Sequence, residues 1–155
     1  MTSEHGHGPD CTCGCHDHDR DREHGHHHGH TENAELAWAR VELEAHTHEQ
    51  AATVSMGIHP KEGSPVVFSN LVDAMREIAQ AAERAGGIVG HIKAFAKWDG
   101  SFARASVTAA DLPPTCEGDL SLALGTATEV QLVAIILLID ETDLLSLCEE
   151  SLLHV

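Results

Sequence analysis

Cysteine and histidine crowd the first thirty residues of this 155-residue chain. The run Cys11-Thr12-Cys13-Gly14-Cys15-His16-Asp17-His18 carries three thiols and two imidazoles within eight positions. In extended backbone, side chains two residues apart fall on the same side, so Cys11, Cys13 and Cys15 converge on one ion. Gly14 lets the backbone fold around it, and His16 or His18 completes four ligands. Thiolate plus imidazole is a borderline-soft set, suited to Zn, Ni or Cu(I) and unsuited to Mg or Ca. His5 and His7 precede this run, and His24, His26, His27, His28 and His30 follow it. Imidazole is largely neutral near neutral pH and so is free to ligate. The segment holds nine of the fourteen histidines and three of the five cysteines. At about four ligands per tetrahedral site, that set holds roughly three ions. The histidines alternate with Gly, Asp and Cys, which an affinity tag would not do.

A Cys-x-Cys-Gly-Cys motif followed by a His/Asp tract resembles the N-terminal region of the hydrogenase nickel-incorporation GTPases. Related tails occur on nickel metallochaperones for urease and on some cobalt and zinc handling proteins. The resemblance covers about thirty residues and implies nickel buffering or delivery, attached here to a different domain. A P-loop, G-x-x-x-x-G-K-[ST], lets backbone amides cradle phosphates, and residues 31–155 contain none.

The chain divides by composition. Residues 1–30 contain no Leu, Ile, Val, Phe or Trp, and no Met beyond the first residue. Such a stretch cannot bury enough apolar surface to offset the entropy of ordering it. A disordered His/Cys-rich tail over 1–30 is therefore expected, followed by a single domain over 31–155 that is long enough for a modest core. The formal net charge is −16, and from Asp111 onward there are nine acids and no Lys or Arg. That balance repels phosphate backbones and anionic lipid, so neither nucleic acid nor a membrane is an expected partner. It favours cations, and it also serves solubility. The polar first thirty residues show no signal-peptide core. The longest apolar run, 130–139, is too short to span a bilayer. A cytoplasmic location is expected, where five cysteines read as metal ligands or inert thiols rather than a disulfide framework.

Several elements must position any site in the domain. Val41 and Leu43 alternate with Arg40, Glu42 and Glu44, a strand over 37–44, with a helix starting near Thr31 as competitor. Val54, Met56 and Ile58 share one face of a second strand, 52–58. Ser64-Pro65 reads as a helix start. Val67, Leu71, Met75, Ile78, Ala82 and Ala85 form its apolar stripe, and Gly86-Gly87 supplies its stop. Asp99-Gly100 predicts a hairpin with a type I′ turn, pairing Trp98 with Ser101, Ala96 with Ala103, Ala94 with Ala105 and Ile92 with Val107. Its other face gathers Lys93, Lys97 and Arg104 with Phe95 and Phe102. This reads first as a solvated face with cross-strand cover, and second as an anion- or partner-docking surface. Leu120, Leu122 and Leu124 predict a strand, and 130–139 a central strand buried on both faces. Asp140 is placed to cap a last helix whose inward face carries Leu144, Leu145, Cys148 and Leu152. The order β-β-α-β-β-β-β-α predicts an α+β domain with a mainly antiparallel sheet and two helices packed on one face, a ferredoxin-like variant.

Within the domain, His46 and His48 form the best candidate chelate, with a third ligand from His59, His91 or Cys116. Solvated histidines are the commoner outcome on such strands. His91 after Gly90 also reads as a hydrogen-bonded structural residue, and Cys148 as packing. No nucleophile elbow, His-Glu-x-x-His or dinucleotide fingerprint is present, so no catalytic residue is assigned. The expected function is a metal-binding accessory protein that stores, buffers or delivers nickel, with zinc or cobalt next. Its partners would be the ion and a client metalloenzyme or maturation factor. The alternatives are a protein- or small-ligand-binding module with a metal-buffering tail, and a small metalloenzyme with a core histidine site.

Overall fold

The computed structural model describes residues 38–155. The elements run β1 (Trp38–His48), β2 (Ala51–Pro60), α1 (Phe68–Arg84), β3 (Ile88–Trp98), β4 (Ser101–Val107), β5 (Thr115–Gly118), a 3₁₀ turn (Leu124–Thr126), β6 (Glu129–Leu137) and α2 (Glu141–Leu153). The six strands form one sheet in the order β1-β2-β6-β3-β4-β5, with every neighbouring pair antiparallel. Both helices lie on one face of it and pack against each other. This is an α+β fold. The unit β2-α1-β3 with β6 inserted between its strands is the split β-α-β arrangement of ferredoxin-like domains. Here β1 extends it beyond β2, and β4 and β5 extend it beyond β3.

Strict alternation explains the core. Ala52, Val54, Met56 and Ile58 on β2, Ile92, Ala94 and Ala96 on β3, and Val130, Leu132, Ala134 and Ile136 on β6 are all buried under the helices. From α1 come Phe68, Leu71, Met75, Ile78 and Ala82, and from α2 come Leu144, Cys148 and Leu152. The alanine rows of β3 and β4 let the helix layer approach closely. The register of that hairpin is the one the Asp99-Gly100 turn predicts, including Trp98 with Ser101 and Ile92 with Val107.

Four expectations need correction. The first concerns α1, which starts at Phe68 rather than at Pro65. Val67 makes an isolated antiparallel bridge with Ala123 and stays extended, so helical dihedrals cannot begin before it. Asn70 Oδ1 accepts the Val67 N–H at 3.0 Å. Ala85, expected on the stripe, is exposed.

The second concerns residues 120–124, which form no strand. Their alternation serves another purpose: the carbonyls of Leu122 and Leu120 accept the N–H groups of Phe68 and Ser69 at 3.2 and 3.1 Å. These are orphan donors at a helix start, so this loop caps α1 with main chain while Leu124 is fully buried. Asp119 Oδ1 bends it by accepting from Ser121 N and Oγ at 2.9 and 2.6 Å. The strand in this region is β5, a four-residue strand that ends before residue 120 and pairs with β4.

The third concerns β6. It is central, but it is buried on one face only: Ile135 and Leu137 are each 36% exposed on the other. The fourth concerns the β3–β4 turn, in which Gly100 alone takes positive φ (74°). Type I′ requires it at both central residues. The competing helix near Thr31 would start outside the described residues, and from Trp38 onward the chain is strand. No helix among the described residues is long and apolar enough to cross a membrane.

Candidate functional site

The tail ligands Cys11, Cys13, Cys15, His16, His18, His24, His26, His27, His28, His30, His5 and His7 lie outside the described residues. His46 and His48 stand on β1, opposite Thr53 and Ala51 of β2. The strand's two-residue period puts both on the face away from the helices. His46 Nε2 lies 3.2 Å from Glu44 Oε1.

The expected third ligands do not join them. His59 stands opposite Arg40, six residues along β1 from His46, or about 20 Å at strand rise. It lies beside Glu42 instead, Nε2 to Oε2 3.7 Å. His91 shares a row with His46, but Thr53 and Ile135 stand between them, which is about 14 Å at the usual strand spacing. Its Nε2 meets Ser106 Oγ at 2.9 Å. Burial lowers its pKa, and the Lys93 ammonium lowers it further. Cys116 lies on β5 at the opposite edge of the sheet, exposed, its thiol pushed up by partial burial. Among the described residues no three His, Cys, Asp or Glu side chains form a metal-binding group. Among the described residues, His46 and His48 therefore have no third ligand beside them.

What the sheet does assemble is a continuous open face. One row across it reads Glu44, Ser55, Val133, Lys93, Ser106, Thr115, and the next Glu42, Gly57, Gln131, Phe95, Arg104, Glu117. Acids and histidines thus occupy the β1–β2 side, with Arg40 on Glu42 at 2.6 Å. Lys93, Lys97 and Arg104 occupy the β3–β4 side, where Arg104 Nε donates to Glu117 Oε2 at 2.8 Å. Between them runs the apolar ridge Val133, Ile135 and Leu137, continued by Ile88 opposite Leu137 at 55% exposure. Toward the Asp99-Gly100 turn a depression of about 510 Å³ is lined by Phe95, Lys97, Trp98, Phe102 and Arg104.

The basic and aromatic part of this face was legible from the hairpin register. The ridge was missed, because a continuous apolar run cannot by itself tell a strand buried on both faces from one with an open side. The Glu117 partner of Arg104 was missed with β5. The chain matches no family model, no curated protein and no solved structure.

Proposed function

We propose that this protein handles transition-metal ions as an accessory factor, storing, buffering or delivering them, with nickel first and zinc or cobalt next. One observation carries the reading: three thiols at alternate positions, Cys11, Cys13 and Cys15, stand directly before His16 and His18 in a segment holding nine histidines. Thiolate and imidazole in one short stretch select borderline-soft ions over Mg and Ca. Several overlapping, incompletely filled coordination spheres favour ligand exchange, which is what passing an ion to a better-shaped site requires. The α+β domain, with no three-ligand group among its described residues, serves as the part that docks on a client metalloenzyme or maturation factor.

The test is metal titration of the full chain under reducing conditions, beside a variant with Cys11, Cys13 and Cys15 changed to Ser and a variant with His46 and His48 changed to Ala. The expected result is several ions bound per wild-type chain, a large loss in the cysteine variant and little change in the other. Binding weakens as the pH falls and the ligands protonate. A wild-type chain that binds none of nickel, zinc and cobalt tighter than about 10 µM, roughly −7 kcal/mol, sinks the reading. One tight ion that depends on His46 and His48 replaces it with the core-site reading.

A further inference from the structure

The open face of the sheet carries an apolar ridge on its central strand, and a sheet with one solvated face normally places polar residues there. We propose that this face is the interface of a homodimer in which two copies pack sheet to sheet about a two-fold axis parallel to β6.

Three observations identify the occupant as a second copy. The first is charge. A two-fold axis along β6 carries β1 of one copy over β4 of the other, and β2 over β3. Glu42 then faces the partner copy's Arg104, and Ser55 faces its Lys93, while Val133, Ile135 and Leu137 meet their own counterparts. The contact is isologous and self-complementary, as a two-fold interface must be. An axis at right angles to the strands would instead set Glu42 and Glu44 against their own kind, and Lys93 and Lys97 against theirs.

The second is shape. Gly57 sits inside β2, where glycine weakens a strand and marks close approach by another group. Its own chain does not require it: an added Cβ would meet only Glu42, at 3.6 and 3.8 Å, in ordinary contact, and its φ is not in the left-handed region. Under the axis along β6, the side chain landing on Gly57 is Phe95 of the other copy. The largest side chain of that row thus meets the smallest.

The third is area. Under this axis β1, β2, β6, β3 and β4 of the two copies overlie one another, and five strands at about 4.8 Å spacing and some 30 Å of strand give roughly 700 Å² per copy, close to the ~800 Å² per partner of a standard stable interface. Exposed Ile88, Ile135 and Leu137 lie together at one end of it, with Phe102 at the other. Contiguous exposed apolar patches of this kind mark interaction sites.

The experiment is sedimentation velocity of the full chain over about 1 to 100 µM, within the affinity range of interfaces this size. It is run with EDTA and reductant, so that metal-linked association plays no part and failure here leaves the metal reading untouched. The wild-type chain is expected to be a dimer, with Ile135→Lys weakening it at least about tenfold. Glu42→Arg and Arg104→Glu each weaken it alone, since each sets like charges against one another. An equimolar mixture of the two restores the dimer, because every facing pair is again Arg with Glu; restoration also shows that both variants fold. A wild-type monomer throughout overturns the proposal and leaves the face to a different protein. A dimer that survives Ile135→Lys overturns it in favour of edge pairing through β1. A mixture no tighter than its components overturns the axis.

Discussion

Trp38 Nε1 donates to the main-chain carbonyl of Leu152 at 3.0 Å, so the first residue of the edge strand is tied to the last turn of α2. The ring itself is buried at 4% exposure. The far end of the core has a counterpart, in which Trp98 Nε1 donates to the Ala123 carbonyl at 3.1 Å. Each tryptophan fastens a strand to a segment distant in sequence.

Trp38→Phe keeps most of the packing and removes the donor, leaving the Leu152 carbonyl without this partner. A loss of about 1 kcal/mol is expected. It reads as a lower urea midpoint at unchanged slope, followed through the fluorescence of Trp98. An unchanged midpoint would mean the bond contributes nothing.

Asp140 Oδ1 accepts the Thr142 N–H at 2.8 Å and caps α2, with Glu141 and Asp143 in the first turn at the positive end of the helix dipole. Asp140→Ala should cost about 1 kcal/mol, and Asp140→Asn only a fraction of that. Thermal melts of the two variants beside wild type check the order. If alanine and asparagine cost the same, the cap is not what Asp140 supplies.

The two domain thiols should separate sharply. Cys148 is fully buried and its thiol is pushed up to about 12, chiefly by burial, whereas Cys116 is exposed. In a chain with Cys11, Cys13 and Cys15 changed to Ser, a disulfide reagent at pH 8 should modify one thiol quickly and the other only in denaturant. Thiolate fraction and access both set that rate. Adding Cys116→Ser should remove the fast phase. Two thiols reacting at one rate would contradict the burial of α2.

His91 makes stability depend on pH in a defined direction. Its folded pKa lies below 6.5 through burial and Lys93, so the unfolded chain takes up the proton first. Its contribution is therefore fully present above pH 6.5 and is lost as the pH falls through 6.5 toward the lower folded value. Urea midpoints at pH 8 and pH 5 should differ more for wild type than for His91→Gln. Imidazole resonances followed by NMR should place His91 below 6.5; a value above it would reverse the argument.

Much of this fold is legible in the residues because local signals and burial agree. Alternation in 52–58, the Asp99-Gly100 register and the Asp140 cap each need only near neighbours in sequence. What fails is set at long range. The leucines at 120, 122 and 124 alternate like a strand, yet their main chain is recruited to cap α1, more than fifty residues earlier. The start of α1 moves for the same reason, since Val67 is held extended by Ala123. Residues 130–139 show no polar face, and only the finished sheet reveals which side the helices cover. For the site, residue types pointed to candidate metal ligands, whereas whether His46, His59, His91 and Cys116 come together depended on strand order, which periodicity does not encode.

That strand order has a consequence for biosynthesis. β6 lies between β2 and β3 but is the last of the six strands to be made. Until residue 137 has left the ribosome, the two halves of the sheet have no seam to join them. The nascent chain holds two separate strand sets whose inner edges are unpaired, a state exposed to aggregation. The cysteine- and histidine-rich segment, by contrast, is synthesised before the domain. Under the proposed metal-handling function, ion capture would begin during translation, before the domain that would present the ion has closed.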